Sequence, residues 1–336
     1  MEVGVKTIKE TLKRIAVGHP RTFAGLSVYP LTGGDGDAPG YTVLDDALRE
    51  GTARVTETSE AGNVPELAFY NDGDRPVLVV DGEELAGAKQ NRIVNLTILV
   101  PAKQKIVIPV SCVEAGRWDS MSVEFASTPQ VMYSRARRGK YAQVSASMAM
   151  GGSRRSDQGA VWDDIGRRQR DLCSESPTAR ISDTFEQNKA GLDAYVRNLP
   201  CLEGQVGAAF ALSGPVSCVE LFDCAETLEK MWSKLVRSWA LDALLVSDRP
   251  HEVRPASEVQ ALLEEIGKAK VTEHEALGLG TDVRWAGRLN GGALVHEDRL
   301  VHLCVFRDGG QGDGGGDNDW TGWRRGRMAR ASQRRR

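Results

Sequence analysis

The stretch PVLVVDGEELAGAKQNRIVNLTILVP, residues 76–101, decides the fold and concentrates polar side chains. Its two apolar runs, 76–80 and 93–101, are rich in Val, Ile and Leu, as is typical of buried strands. Between them stand two adjacent carboxylates, a lysine, two amides and an arginine, whereas a surface turn needs only about two or three polar residues. This excess predicts either a working site or a polar connection between two strands.

Similar short runs fill the first 125 residues and are separated by Gly, Asp, Asn or Pro. These runs are 23–31, 41–48, 53–58, 66–71, 76–80, 92–101 and 105–118. Because no long helical spacer separates them, they predict an antiparallel or mixed sheet. Apolar residues make up 41% of the chain, which is enough for a substantial core.

The pattern changes to helical spacing in the middle of the chain, after a polar, small-residue stretch at 137–156. It predicts helices at 157–173 with Asp157 as the cap, from near Ser182 to Pro200, at 225–246 and at 257–269. Hairpins are predicted at 204–222 and 284–306. The long helix at 225–246 carries an apolar stripe that is typical of core packing.

The predicted fold class is α+β, with an N-terminal antiparallel or mixed β-rich part, central helices and C-terminal hairpins in a single large domain. The expected boundaries are an N-terminal segment at 1–19, the domain at 20–306, and a disordered Gly/Asp linker with an Arg-rich tail at 307–336.

Charge divides the chain into an acidic body and a basic tail. The net charge is −3, and seven arginines between 324 and 336 carry +7, which leaves −10 for residues 1–323. Phosphate neutralisation needs clustered Lys and Arg, so no nucleic-acid groove is expected on the folded body. The tail suits contact with nucleic acid or an acidic surface, although a solvated tail satisfies the same pattern.

Several classes of site and location are not indicated. No apolar run approaches the roughly 18 to 20 residues of a membrane span, and the first residues do not have the pattern of a secretion signal, so a cytoplasmic protein is expected. The six cysteines and five histidines lack metal-ligand spacing, so reduced thiols and no metal site are expected. The sequence names no cofactor.

The first block of chemistry-bearing residues lies within DGEELAGAKQNRI, 81–93. Glu83 and Glu84 alternate in an extended chain, so only one can point to a given face. The donors and acceptors of Lys89, Gln90, Asn91 and Arg92 suit a phosphate, a ribose or a base edge, and they equally suit bonding within a loop.

Two later blocks offer further candidates, SCVEAGRW at 111–118 and SDQGAVWDDI at 156–165. Arg117 beside Trp118 suits an anion next to a stacking surface, and Glu114 could orient that arginine or accept from a ribose hydroxyl. Alternatively, the tryptophan anchors the core and the ion pair fixes a turn. Asp157 serves first as a helix cap, although a cap can also face a ligand.

Four motifs together resemble a bacterial domain family named for its association with ADP-ribosylglycohydrolases and rhodanese-phosphatase-type proteins. They are DGEELAGAKQNRIVNLTILVPA (81–102), PVSCVEAGRW (109–118), SDQGAVWDDI (156–165) and VELFDCAETLEKMWSKLVRSWALDAL (219–244). The resemblance spans about residues 20–306. It implies a link through gene context to ADP-ribose and NAD metabolism, without an established activity.

The resemblance and the residues together lead to two hypotheses. In the first, three motif blocks form a polar pocket that binds or processes an ADP-ribose-like nucleotide. Its catalytic candidates are Glu83, Glu84 and Glu114. Its substrate-binding candidates are Lys89, Gln90, Asn91, Arg92, Arg117, Trp118, Asp157, Gln158 and Trp162. In the second, the same residues form a buried polar network in a non-catalytic scaffold. The sequence leaves binding and catalysis both open.

Overall fold

The computed structural model describes residues 3–34, 38–59, 65–117, 122–248 and 250–308. The predictions made for Trp118 and for residues 309–336 of the tail lie outside the described residues. Within these ranges the chain forms one α+β domain with C-terminal hairpins, which confirms the predicted fold class.

The described residues form eight helices. These are α1 (Val3–Arg14), α2 (Leu44–Arg49), α3 (Ser134–Gly151), α4 (Gln158–Asp171), α5 (Ile181–Gln187), α6 (Lys189–Asn198), α7 (Ala225–Ala243) and α8 (Ala256–Lys268). The helix predicted from Ser182 is interrupted at Asn188 and becomes α5 and α6. The other three predicted helices, near 157, 225 and 257, are confirmed as α4, α7 and α8.

Two helices, α2 and α3, occupy segments for which the sequence pattern did not predict a helix. The run at 41–48 was expected to be a strand, but α2 occupies most of it, with Asp45 and Asp46 in the first turn, where carboxylates favour a helix N-terminus. The polar stretch at 137–156 lies largely in α3. Its buried face includes Arg137 and Lys140, so the apolar period of that helix is weak in the sequence.

The largest sheet has nine antiparallel strands in the order β1-β3-β13-β14-β18-β17-β16-β15, with β2 paired to β3. The strands are β1 (Ala16–Val17), β2 (Arg21–Phe23), β3 (Leu26–Thr32), β13 (Gln205–Leu212), β14 (Val216–Phe222), β15 (Thr272–Glu275), β16 (Thr281–Trp285), β17 (Leu289–His296) and β18 (Arg299–Arg307). The hairpins β13–β14 and β17–β18 are those that the sequence predicted.

A six-stranded antiparallel sheet has the order β12-β8-β9-β11-β6-β5. The strands are β5 (Ala53–Glu57), β6 (Glu66–Asn71), β8 (Glu83–Gly87), β9 (Arg92–Val94), β11 (Gln104–Cys112) and β12 (Phe125–Val131). A bridge between Thr56 and Glu124 joins its two edges, so the sheet curls around its own core. The remaining strands, β4 (Thr42–Val43), β7 (Val77–Val79) and β10 (Ile98–Val100), form a small mixed sheet.

Both faces of the nine-stranded sheet are covered. On one face α1 and α8 pack with a purely apolar cluster. On the other, α7 lays its predicted stripe against the sheet, and the Trp239 ring stacks on Phe210 with centroids 4.8 Å apart. The burial of this stripe confirms its predicted role in the core.

The turn at Asp81 and Gly82 lies in the interior and joins the two halves of the fold. Asp81 accepts a 3.0 Å hydrogen bond from Arg137 Nε, and the same guanidinium binds both oxygens of Glu220 on β14 at 3.0 and 2.6 Å. All three side chains are fully buried. Gly82 has a φ of +83°, a backbone conformation that favours glycine, and an added Cβ would stand only 3.2 Å from Arg137 Cδ.

The Arg137→Met substitution should destabilise the fold strongly. It leaves the carboxylates of Asp81 and Glu220 buried without their guanidinium partner, a loss that typically costs about 3–5 kcal/mol. Urea denaturation monitored by tryptophan fluorescence would measure it. The control is Arg170→Met on the exposed side of α4, which should stay within about 0.5 kcal/mol of wild type. Equal stability of the two variants would contradict the assignment.

Candidate functional site

Glu83 and Glu84 begin β8 and point to opposite faces, as alternation in a strand requires. Glu83 Oε1 accepts from Lys234 Nζ at 2.7 Å, and Glu83 Oε2 accepts from the Val80 amide at 2.8 Å. Burial alone would lower the pKa of Lys234, but Glu83 and Asp45 outweigh it and raise that pKa. Glu83 therefore ties β8 to α7 and lies apart from the other motif residues.

The Glu84 carboxylate is buried and accepts from four neutral donors. Asn91 Nδ2 donates at 2.8 Å and Gln130 Nε2 at 2.7 Å. The Ser182 hydroxyl at the start of α5 donates a short bond, and the Thr128 hydroxyl donates at 3.3 Å. Glu84 thus connects β8, β9, β12 and α5 through hydrogen bonds alone.

Glu114, which follows β11, forms an ion pair with Arg117. Arg117 Nη2 donates to Glu114 Oε2 at 2.7 Å, while Arg117 Nη1 donates to the Ala88 carbonyl at 2.6 Å. Thr178 Oγ1 donates to Glu114 Oε1 at 2.9 Å. Burial alone would raise the pKa of Glu114, but the bonds from Arg117, the Asn91 amide and Thr178 outweigh it and lower that pKa.

Asn91 joins these two carboxylates. Its backbone amide donates to Glu114 Oε2 at 3.1 Å, and its side chain donates to Glu84. We call Glu84, Asn91, Glu114 and Arg117 the motif cluster. The first two sequence blocks therefore meet in a packed hydrogen-bond network with three of its four members at most 2% exposed.

Arg92 lies on the inner face of the curled sheet. Arg92 Nη1 donates to the backbone and side-chain oxygens of Gln90, both at 3.1 Å, and Arg92 Nη2 stands 3.9 Å from Glu57. Burial lowers the pKa of Arg92, partly offset by Cys112 and Glu57. Burial also raises the pKa of the Cys112 thiol to about 11, which keeps that thiol protonated at neutral pH.

The third block attaches α4 to β11. Gln158 Oε1 accepts from the Cys112 amide and Gln158 Nε2 donates to the Cys112 carbonyl, both at 2.8 Å. Asp157 caps α4 by accepting from the Ala160 amide at 3.1 Å, as the sequence predicted. Trp162 lies on the same helix with 38% of its surface exposed, and Lys89 is half-buried, so neither is enclosed in the motif cluster.

A cleft of about 360 Å³ lies between α3 and α4. Its apolar lining includes Ile93, Met132 and Val161, so it borders the first and third sequence blocks. Its charged lining comprises Arg135, Arg138, Lys140, Asp163, Asp164 and Arg167. Burial lowers the pKa of Lys140, against the opposing effect of Asp81, with which it forms an ion pair.

The walls of this cleft are fixed by buried contacts at the start of α3. Asp242 of α7 accepts from the Arg135 amide at 2.9 Å and also forms an ion pair with Arg168 of α4. The Arg168 guanidinium covers the Tyr133 ring at 4.7 Å, and the Tyr133 hydroxyl donates to Asp164 at 2.5 Å. Burial and the neighbouring Asp164 raise the pKa of Tyr133, so it stays a donor.

The sequence hypotheses did not include the charged residues of this cleft. The available signal was local, since SRARRGK at 134–140 and DDIGRRQR at 163–170 are both dense in charge. Only the packing of α3 against α4 brings the two segments together.

In the part of the chain that the structure describes, no group of three or more His, Cys, Asp or Glu side chains could hold a metal ion. The helices in the same ranges are all too short or too polar to cross a membrane.

Comparison with known families gives one match. The model for the ARG and Rhodanese-Phosphatase-superfamily-associated Protein domain, ARPP-1, matches residues 14–306, which confirms the resemblance found in the motifs. No curated protein and no solved structure matches the chain.

The Glu84→Gln substitution should destabilise the protein by about 1–3 kcal/mol, because the new amide group places two N–H donors where four donors converge. The midpoint of urea denaturation would show the loss. The matched control is Glu186→Gln, on the exposed side of α5, for which we expect no change. A Glu84→Gln protein as stable as the control would mean that the network around Glu84 contributes little.

Glu114 should add a pH-dependent term to stability. Its pKa in the folded state lies below the ordinary value of 4.5, so its contribution is present above pH 4.5 and is lost as the pH falls through the lowered pKa. The stability difference between wild type and Glu114→Gln should therefore shrink as the pH falls below 4.5. Urea denaturation at a series of pH values would measure this difference, and parallel profiles for the two proteins would contradict the assignment.

Proposed function

The chain belongs to the family of ARG and Rhodanese-Phosphatase-superfamily-associated Protein domains, and from this premise we propose that it binds an ADP-ribose-like nucleotide in the α3–α4 cleft. The motif cluster serves as the buried frame that holds the cleft in shape. The family name supplies the ADP-ribose context, and the charged lining of the cleft supplies the chemistry.

The proposal rests on two guanidinium groups at the cleft that form no ion pair within the described ranges. They belong to Arg135 on α3 and Arg167 on α4, and both side chains are exposed. A third arginine, Arg138, stands 3.5 Å from Asp308. Because a guanidinium binds phosphate oxygens with two parallel hydrogen bonds, arginines on facing helices suit a diphosphate.

Residues outside the cleft keep these arginines in place. Asp242 holds the first turn of α3 through the Arg135 amide, and Gln158 fixes the N-terminal end of α4 to β11. The cleft therefore has a preformed shape, which lowers the entropic cost of ordering the lining when a ligand binds.

The motif residues support this proposal indirectly. Two residues of the cleft lining, Ile93 and Val161, lie close in the chain to motif residues. Ile93 directly follows Arg92, and Val161 lies three residues after Gln158. We propose that the contacts made by Glu84, Asn91 and Gln158 set the positions of β9 and α4, and so the width of the cleft. Under this proposal the glutamates position the backbone, and the ligand contacts lie on α3 and α4.

A second candidate is a scaffold without a small-molecule ligand. The specific observation in its favour is the deep burial of Glu84, Asn91 and Glu114, whose polar atoms are bonded to one another and to neighbouring groups. The two candidates differ in what they expect at Arg135 and Arg167. A scaffold gives these exposed arginines no role in ligand affinity.

The Arg135→Met and Arg167→Met substitutions should each weaken ADP-ribose binding by about tenfold or more, since each removes charge-assisted hydrogen bonds to phosphate. Calorimetric titration of wild type and both variants would measure the affinity. Thermal denaturation should show little change, because both side chains are exposed.

The control is Arg170→Met, which removes an arginine from the same helix α4 without touching the cleft lining. It should bind ADP-ribose as wild type does. If folded wild-type protein gives no heat with ADP-ribose, NAD or AMP, the nucleotide proposal fails and the scaffold remains.

A further inference from the structure

We infer that the α3–α4 cleft recognises the ribose-phosphate part of its ligand and leaves the base outside, so that phosphorylated riboses form its ligand class. This inference rests on the proposed function and deepens it. It predicts that a simple pentose phosphate binds where a nucleoside does not.

Among the described residues, the lining of the cleft has no aromatic ring on which a base could stack. Its apolar members are all aliphatic or thioether side chains, namely Ile93, Met132, Ala136, Ala160 and Val161. Proteins that bind bases usually stack them on aromatic rings. Tyr133, just before α3, and Tyr141, within it, are both buried, and Arg168 already covers the Tyr133 ring.

Trp162 does not fill this role. It follows Val161 on α4, but successive residues of a helix point about 100° apart, and the Trp162 side chain is absent from the cleft lining while Val161 is present. The side-chain oxygen of Gln143, the amide in the lining, is already engaged, because Gln143 Oε1 accepts from the Asp157 backbone amide at 3.0 Å.

The charges of the lining are divided between the two walls in a way that fits a sugar phosphate. The α3 wall contributes Arg135, Arg138 and Lys140 and no carboxylate. The α4 wall contributes Asp163 and Asp164 beside Arg167. Carboxylates repel a phosphate but accept hydrogen bonds from hydroxyl groups, so the two aspartates suit the hydroxyls of a ribose whose phosphate lies towards the arginines.

Both aspartates have oxygens available for this task. Asp163 is exposed and forms no hydrogen bond or ion pair in the described ranges. Asp164 uses Oδ2 for the Tyr133 hydroxyl, and Oδ1 has no donor among the described residues. The Tyr133 bond also fixes the orientation of Asp164, so its free oxygen is held in position before a ligand arrives.

The size of the cleft agrees with a part of a nucleotide. Its volume of about 360 Å³ is near the lower end of ligand pockets, which span roughly 300–1,000 Å³. A phosphorylated ribose fits such a space, and the remainder of an ADP-ribose-like molecule would extend towards solvent.

The test is a calorimetric panel with full-length protein. Ribose 5-phosphate should bind within about fivefold of ADP-ribose, and adenosine should give no saturable heat, because the ribose and phosphate supply the contacts. 2-Deoxyribose 5-phosphate should bind about tenfold more weakly than ribose 5-phosphate, since a hydroxyl bond to a carboxylate is lost.

Asp163→Asn should weaken ribose 5-phosphate binding by about tenfold while leaving the weak binding of inorganic phosphate unchanged. The matched control is Asp171→Asn, at the exposed C-terminal end of α4 and outside the cleft, which should bind as wild type does. Equal affinities of Asp163→Asn and Asp171→Asn for ribose 5-phosphate would overturn the role given to Asp163.

The outcomes separate this inference from the proposed function. If ADP-ribose and adenosine bind but ribose 5-phosphate does not, the cleft reads the base, and the inference is wrong while nucleotide binding stands. If ribose 5-phosphate and its 2-deoxy analogue bind equally, the proposal that the aspartates accept hydrogen bonds from the ribose hydroxyls is wrong. If no member of the panel binds, both the inference and the proposed function are overturned.

Discussion

The rest of the structure depends on one constraint, the burial of the charged side chains of Arg137, Asp81 and Glu220 in contact with one another. One guanidinium holds Asp81 of the polar turn and Glu220 of the nine-stranded sheet, and none of the three side chains is exposed to solvent. An unpaired charge in such a position would be very unfavourable, so the turn, the sheet and α3 have one acceptable relative arrangement. Burial alone would raise the pKa of Asp81, but Lys140 and Arg137 outweigh it and lower that pKa, which favours the ionised form of the Asp81 carboxyl.

The same constraint creates the cleft. Arg137 and Lys140 occupy the buried face of α3, which turns Arg135 and Arg138 towards α4. Arginines of one short segment thus divide into two roles according to their position around the helix. The cation that faces the interior, Arg137, fixes the fold, and Arg135 and Arg138 line the cleft.

The polar excess of DGEELAGAKQNRI belongs mainly to the interior. The side chains of three residues of this segment bond to three different helices. Asp81 bonds to α3, Glu83 to α7 and Glu84 to α5. Asn91, just before β9, and Arg92, its first residue, then point to opposite sides, one into the motif cluster and one inside the curled sheet. A single stretch of sequence therefore connects most layers of the domain, which explains why it carries so many polar groups.

The sequence by itself determined the fold class, most strands, the capped helix α4 and the divergence of Glu83 from Glu84, because these follow from local periods and capping chemistry. It did not indicate α3, whose buried stripe is interrupted by Arg137 and Lys140. Glu114 meets Asn91 only because β9 pairs with β11, and Arg135 and Arg167 line one cleft only because α3 packs beside α4. Only the tertiary structure determines these long-range contacts. Contacts between residues far apart in the chain depend on how whole elements pack, and the local periodicity of the sequence does not predict that packing.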